Sequence, residues 1–375
     1  MTIERDELLR SDLTTWQIGL YHEALPGPML LKVVLDGEII VSGAIETGFL
    51  HKSLEKAIEL HSWQAALPYS DRLDPESAVF GELALCLAVE EISDITVPER
   101  ARKVRVILSE LARVASHLAH FVKMARAVGA DTVQYYVMRD REKILDLLEL
   151  LTGARYSISF LRYGGVRADV TEGFIERVLE VCEVIRVRLK EYNDIFTFNQ
   201  AYIKRTQDVG RVSQELVRRH GVTGPIARAS GIAFDVRKAH PYSGFDQLDF
   251  AIPSGPDEGG DAHDRFLQRL REVAQSLGIL KDVAEHMPKG EFNTGPVGPD
   301  HVVPEGEAFS RIESARGLLG CHVISTGGRS PARIQFRTPS RAALCMIPEL
   351  IVGHGIEDLP VVLGSLDINI SEADR

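Results

Sequence analysis

The sequence is poor in the features that mark several large protein classes. Its 375 residues hold no run of about 18 uninterrupted apolar residues, the length a spanning helix needs, so no transmembrane segment is expected. Basic residues are in deficit. The 43 Lys and Arg stand against 54 Asp and Glu, a formal charge of −11, whereas a nucleic-acid footprint needs a basic stripe. Cysteine is scarce: Cys86, Cys182, Cys321 and Cys345 lie far apart among apolar neighbours, and no CxxC pair occurs. That spacing predicts four buried, reduced thiols, and it excludes a disulfide framework, a zinc knuckle or an iron–sulfur site. P-loop, GxGxxG and GxSxG patterns are missing as well, so nothing signals nucleotide binding or serine-hydrolase chemistry. The opening MTIERDELLRSD is charged and lacks the apolar stretch of a secretory signal; cytoplasmic residence is the expectation.

What is present is ordinary globular material, 45% hydrophobic and 26% charged, with enough chain for a large core. Residues 28–45 alternate β-branched side chains around Asp36-Gly37, which predicts a hairpin. From about 50 to 200 the period becomes helical. Pro98-Glu99 opens one helix whose Val104, Ile107, Leu108, Leu111, Val114, Ala115 and Leu118 recur at three- and four-residue steps. Further helices are predicted over 140–152, ended by Gly153, and over 171–193, 212–220 and 263–286, with a loop at 252–262. CHVIST and ARIQFRT read as paired strands around Gly327-Gly328. The expected architecture is α+β: a β-rich region over 1–60, a mainly helical core over 61–290 and a mixed lobe over 291–375.

Two polar constellations stand out. On the helix after Pro98, Glu110 and Arg113 are spaced to pair, and His117 and His120 share a face three residues apart. A metal would need Glu-x-x-His sets from several helices, and these are absent; polar groups satisfied between packed helices is the other reading. Segment 228–244 (RASGIAFDVRKAHPYSG) gathers Arg228, Asp235, Arg237, Lys238 and His240, either as an ion-pair network or as the lining of a pocket or partner surface.

Eight segments in order resemble one family. They are TGFLHKSLEK (47–56), ALPYSDRLD (66–74), VRVILSELARVASHL (104–118), RDREKILDLLELLTGAR (139–155), RYGGV (162–166), RASGIAFDVRKAHPYSG (228–244), ESARGLLG (313–320) and GSLDINISEADR (364–375). The family is that of the D-type, or 49-kDa-type, subunits of proton-pumping NADH–quinone oxidoreductase, respiratory complex I, itself related to the large subunit of nickel–iron hydrogenases. The resemblance implies a hydrogenase-large-subunit-like fold in one continuous domain, docked peripherally on the cytoplasmic face of a bacterial inner membrane. It implies a quinone pocket shared with the cluster-carrying B-type subunit, with C-type and membrane-arm subunits as further partners. Iron–sulfur clusters and FMN would belong to partners, and this chain would bind no cofactor or metal alone. Hydrogenase chemistry itself needs two CxxC pairs, which are absent.

The pocket segments depart from the family pattern. The family reads close to HPxxHG, with the second His as proton donor; here His22 is kept and that second position is Pro26. A Tyr usual after DRLD is replaced by Pro75, and acidic and His positions usual elsewhere fall at Ala127 and Ser157. The resemblance leaves His22, His51 and Asp74 as quinone-pocket candidates, Asp74 as an orienting partner for a pocket His, and Arg72 near the partner's terminal cluster. Glu110, Arg113, His117, Asp235 and Arg237 form the expected structural polar network. A non-catalytic paralogue with a decayed quinone site is the alternative these losses suggest.

Overall fold

The computed structural model describes residues 13–295 and 301–375, so the charged opening stretch 1–12 lies outside it. An antiparallel sheet comes first, in the order β1 (Leu13–Ile18), β2 (Leu30–Asp36), β3 (Ile39–Glu46). Gly37, at φ 62°, makes the tight turn between β2 and β3 that the Asp36-Gly37 pair predicts. Strand β1 was not legible because four of its six residues face solvent, which erases the alternation that marks a half-buried strand.

The helices α1 (Leu54–Glu59), α2 (Trp63–Ser70) and α3 (Val79–Ile92) lead into the two longest of this half, α4 (Glu99–Ala127) and α5 (Asp131–Thr152). Pro98 caps α4, and Gly153, at φ 78°, ends α5. Helix α5 begins at Asp131 rather than at 140. Its first turns (DTVQYYVMR) are rich in β-branched and aromatic residues of low helix propensity, and packing on α4 overrides that local bias. After a short ribbon of β4 (Leu161–Arg162) and β5 (Gly165–Val166) come α6 (Phe174–Tyr192), α7 (Gln200–Thr206), α8 (Gln214–His220), α9 (Pro225–Ala229), α10 (Val236–Ala239) and α11 (Ala262–Glu285). The side chain of Asp261 caps α11 by accepting from the Asp264 amide at 2.8 Å.

A second three-stranded sheet closes the fold, β6 (Glu305–Ser314), β7 (Gly317–Thr326) and β8 (Arg333–Arg337), with β6 and β7 in register over their whole length. The chain ends in α12 (Pro339–Leu350), α13 (Leu359–Leu366) and α14 (Ile370–Asp374). Helices α4 and α11 pack against each other, with α5, α6 and α13 around them and α3 laid on β6 and β7. Phe121, Phe196, Phe266 and Tyr202 fill the space between α4, α7 and α11, the Phe121 and Phe266 rings 4.7 Å apart. Buried Trp63 ties α2 to the loop after β7, its Nε1 donating to the Gly328 carbonyl at 3.0 Å. One apolar core runs from Ile18 to Ala373.

Three thiols are buried as expected, but Cys345 is exposed: it lies on the outward face of α12, beside the cleft lined by His220, Arg337, Arg341 and Phe336. Its apolar sequence neighbours, Leu344 and Met346, point inward, and helical periodicity turns Cys345 away from them.

Candidate functional site

Helix α4 carries Glu110, Arg113, His117, His120 and Lys123 at three- and four-residue steps, and α11 faces this stripe with Gln268, Arg269, Glu272 and Ser276. Glu110 accepts from Arg113 Nε at 3.2 Å, from Arg237 Nη1 at 3.0 Å and from Ser276 Oγ at 2.6 Å. Asp235 caps α10 and binds Arg237 Nη2 at 2.6 Å. Arg228 joins Glu272 at 2.8 Å and Glu313 at 2.7 Å, while His117 Nε2 lies 3.2 Å from Glu272 Oε2. Arg228, Asp235 and Arg237 therefore face the interior, not a pocket or a partner.

All these groups but the half-buried Lys123 are buried, so their charges persist only through pairing. Burial opposes ionisation of Glu110 and Glu272, but the arginines outweigh it and both carboxyls sit below their usual range. Burial instead pushes Glu313 up despite its Arg228 contact, so Glu272 is the main counter-charge of Arg228. Burial also holds His117 and His120 below the usual histidine range, which favours neutral rings. Among the described residues, no group of three or more His, Cys, Asp or Glu side chains is placed to hold a metal.

A second cluster sits where the C-terminal residues meet three loops. Asp74 accepts from Arg316 Nη1 and Ser77 Oγ, and from Asn369 Nδ2 at 2.7 Å. Among the described residues the side-chain partners of Asp74 are Ser77, Arg316 and Asn369 rather than a histidine, and the arginine follows β6 in the chain. Arg316 also binds Glu76, and Lys123 bridges Glu76 at 3.0 Å and Asp367 at 2.9 Å. Asn369 caps α14, whose Asp374 accepts from the amides of Gly48 at 2.9 Å and Leu50 at 3.0 Å. His51 Nδ1 lies 2.9 Å from the Asp374 carbonyl. Lys52 Nζ donates at 2.7 Å to both the Arg72 carbonyl and Ser371 Oγ, and burial lowers its pKa.

The β1–β2 loop leans on the same helix: a Cβ added to Gly27 would lie 2.9 Å from Ile370 Cγ1. The ring of His22, exposed on this loop, accepts from the Ala24 amide at 3.2 Å. Pro26 is half-buried and Pro75 exposed, and neither ring carries a proton to give. Tyr21, Phe49 and Leu50 are exposed beside these loops. Arg72 is half-exposed, held by Asp71 at 2.7 Å and the Pro68 carbonyl.

The structure thus gathers His51, Arg72 and Asp74 around α14, which the loop of His22 touches through Gly27, and keeps Glu110, Arg113, His117, Asp235 and Arg237 apart in the interior. Sequence reasoning missed Lys52, Lys123, Glu272, Arg316 and Asp367. The step from Gln268 to Glu272 to Ser276 on α11 is a buried polar stripe visible in the sequence, and Lys123 continues the spacing of His117 and His120. Arg316 carries no such signal.

Comparisons with known proteins agree with this assembly of segments. The family described as respiratory-chain NADH dehydrogenase, 49 Kd subunit, matches residues 127–298 and 296–375. A D-type subunit of NADH-quinone oxidoreductase from Bacillus mycoides (strain KBAB4) is 37% identical over 367 residues, covering 98% of this chain and 100% of its own. Another, from Desulforamulus reducens, is 36% identical over 375 residues, with both chains fully covered. A third, from Thermodesulfovibrio yellowstonii, is 35% identical with 96% of each chain covered. Among the described residues no helix is long and apolar enough to cross a membrane. With its full-length relatives and its segments in the family's order, the chain belongs to the 49-kDa, or D-type, subunits of NADH–quinone oxidoreductase.

Proposed function

We propose that this chain forms one wall of a quinone headgroup pocket, the other wall coming from the neighbouring B-type subunit that carries the terminal iron–sulfur cluster. The observation that carries the reading is the convergence of the β1–β2 loop, residues 48–53 and residues 71–77 on α14, stitched by Asp374, Asn369 and Lys52. The exposed apolar side chains of Tyr21, Phe49 and Leu50 beside that seam suit a shared, water-excluding face.

Quinone takes two electrons and two protons. The electrons arrive from NADH through FMN and clusters held by partner subunits, and the complex couples their passage to proton translocation. Arg72 places a fixed positive charge toward the terminal cluster, favouring its reduced state. With Pro26 and Pro75 at two positions where the family has proton donors, the proton-bearing side chains near the headgroup are His22, His51 and Lys52. The fold is that of the hydrogenase large subunit in one family domain. It is docked on C-type and membrane-arm subunits at the cytoplasmic face of the inner membrane. Replacing His22 and His51 separately with Ala in the assembled complex tests the site: inhibitor-sensitive NADH:quinone turnover falls in at least one variant, and full turnover in both overturns the donor assignment.

The two prolines also favour a second reading, a non-catalytic paralogue that keeps the fold and partner surfaces. A purified complex that assembles with this chain yet reduces quinone only through another D-type subunit would establish it.

A further inference from the structure

The cleft beside α12 holds positive charge that no carboxylate of this chain answers. Its volume is about 590 Å³, and its lining includes His220, Phe309, His322, Arg337, Arg341 and Cys345. The histidines already have carboxylates: Glu349 lies 3.5 Å from His220 and Glu307 lies 2.6 Å from His322. Arg375, at the edge of the cleft, has Glu55 at 3.2 Å. Arg337 and Arg341 are left without one. Arg337 is half-buried and donates to the Leu318 and Gly221 carbonyls at 2.8 and 2.9 Å. Burial lowers its pKa, and the carboxyls that act on it, Glu313 and Glu372, are interior groups that burial itself pushes up. Arg341 is exposed and, among the described residues, makes no hydrogen bond or ion pair.

Thr338 lies between the two arginines in the chain, at the amino end of the 12-residue helix α12. Its hydroxyl is buried, has no hydrogen-bond partner and leaves the helix end uncapped by a side chain. Two uncompensated guanidinium groups and an unsatisfied hydroxyl at a helix amino terminus together suit an anion. The surroundings are apolar. Cys345 and, just past the helix end, Val352 face outward with Arg341, and Phe309 is exposed in the cleft. Helix α12 also packs on β3, whose Ile39 and Val41 are exposed. A free inorganic anion leaves these side chains in water, whereas a peptide segment covers them together with the charge.

We propose that this cleft docks a neighbouring subunit of the complex, which seats an Asp or Glu side chain between Arg337 and Arg341. Apolar residues flanking that acid lie over Phe309, Cys345 and Val352. A guanidinium fork matches a carboxylate in shape and charge, and on a chain of net charge −11 two uncompensated arginines steer an acidic segment to this place. The docking does not depend on the quinone reading, since it concerns assembly alone.

Cys345 is a native reporter of the contact. In the purified complex it should react with a maleimide about 10-fold or more slowly than in the urea-unfolded chain, as read by peptide mass spectrometry. Arg341→Glu sets an acid against the docked acid at a position with no partner inside this chain. It should raise the labelling rate about 10-fold or more and let one neighbouring subunit wash away at moderate salt. Arg341→Lys names that subunit, because a carbodiimide joins amine to carboxylate without a spacer and should link position 341 to an Asp or Glu of another chain. If Arg341→Glu yields no complex, the cross-link decides alone. Labelling of the intact complex at the unfolded rate overturns the docking, as does protection that Arg341→Glu leaves unchanged. A position 341 that links only to carboxylates of this chain, or to none, overturns it too. Fast labelling that inorganic phosphate slows would make the cleft a small-anion site and likewise overturn the docking.

Discussion

The α4–α11 interior and the α14 face treat charge in opposite ways. In the interior, Glu110, Arg113, Arg228 and Arg237 are shielded from solvent and each has two or more partners. Beside the α14 face, the His22 side chain holds one hydrogen bond within its own loop, and residues that carry family-like chemistry are interspersed with prolines that cannot. The interior spends desolvation energy to hold one arrangement; the face leaves groups accessible to whatever docks there. Removing a partner should therefore be costly in the first region and cheap in the second.

The largest effect belongs to Arg237. Arg237→Leu removes the guanidinium shared by Glu110 and Asp235, leaving Glu110 with Arg113 and Ser276 and Asp235 with Arg228 at 3.7 Å, and breaking buried pairs this way costs about 3–5 kcal/mol. Hydrogen exchange of α4 and α11 in the assembled complex should lose protection by that amount, and native-like protection would show that the network contributes little to holding these helices.

Glu82 comes next and makes the contrast depend on pH. Burial pushes its carboxyl up to about 8, even though it accepts from the Phe160 and Leu161 amides, each at 3.1 Å. The folded protein therefore keeps a proton that the unfolded chain, with an ordinary value of 4.5, has lost. Its contribution to stability is full below pH 4.5 and falls as pH rises toward about 8, by an amount on the order of a few kcal/mol. Glu82→Gln preserves an acceptor for the two amides and removes this slope. Its melting temperature relative to the parent should climb between pH 5 and pH 8, and a constant difference across that range would mean the carboxyl is ionised in the fold.

Asp74 is intermediate because it belongs to the face yet is buried. Asp74→Ala removes four hydrogen bonds, one of them from the Glu76 amide, but Arg316 keeps Glu76 and the Asp367 carbonyl, so a loss of about 1.5–3 kcal/mol is expected. A loss as large as that of Arg237→Leu would place Asp74 with the interior, and thermal unfolding of the two variants side by side distinguishes these outcomes.

The same divide governed what the sequence revealed. The α4 stripe and the Asp36-Gly37 turn are local patterns, and both elements stand where periodicity and turn chemistry put them. Strand β1 hid behind its solvent-facing residues, and the start of α5 hid behind Val133, Tyr135 and Tyr136, whose helical state is imposed by α4. At the site, the motif match selected His22, His51, Arg72 and Asp74, and the fold does bring their loops together. What spacing could not reveal was pairing across distant segments: Asp74 with Arg316, His117 with Glu272, Lys123 with Asp367. Each partner comes from another element, and only the folded chain makes them neighbours.

The smallest expected effect is also the most useful for separating stability from chemistry. His22 is exposed and its side chain makes one hydrogen bond inside its loop, so His22→Ala should change stability by no more than about 0.5 kcal/mol. His51 has the Asp374 carbonyl and Ser53 Oγ as partners, at 2.9 and 3.3 Å, and its removal should cost slightly more, about 0.5–1.5 kcal/mol. Neither loss suffices to unfold a chain with a core this large. A fall in quinone turnover in either variant, measured beside an unchanged melting temperature, would therefore report proton or hydrogen-bond chemistry at the headgroup rather than damage to the fold. If His51→Ala lowered stability as much as Asp74→Ala does, the 48–53 loop would count as part of the buried framework, and the line between the two regions would move outward to include it.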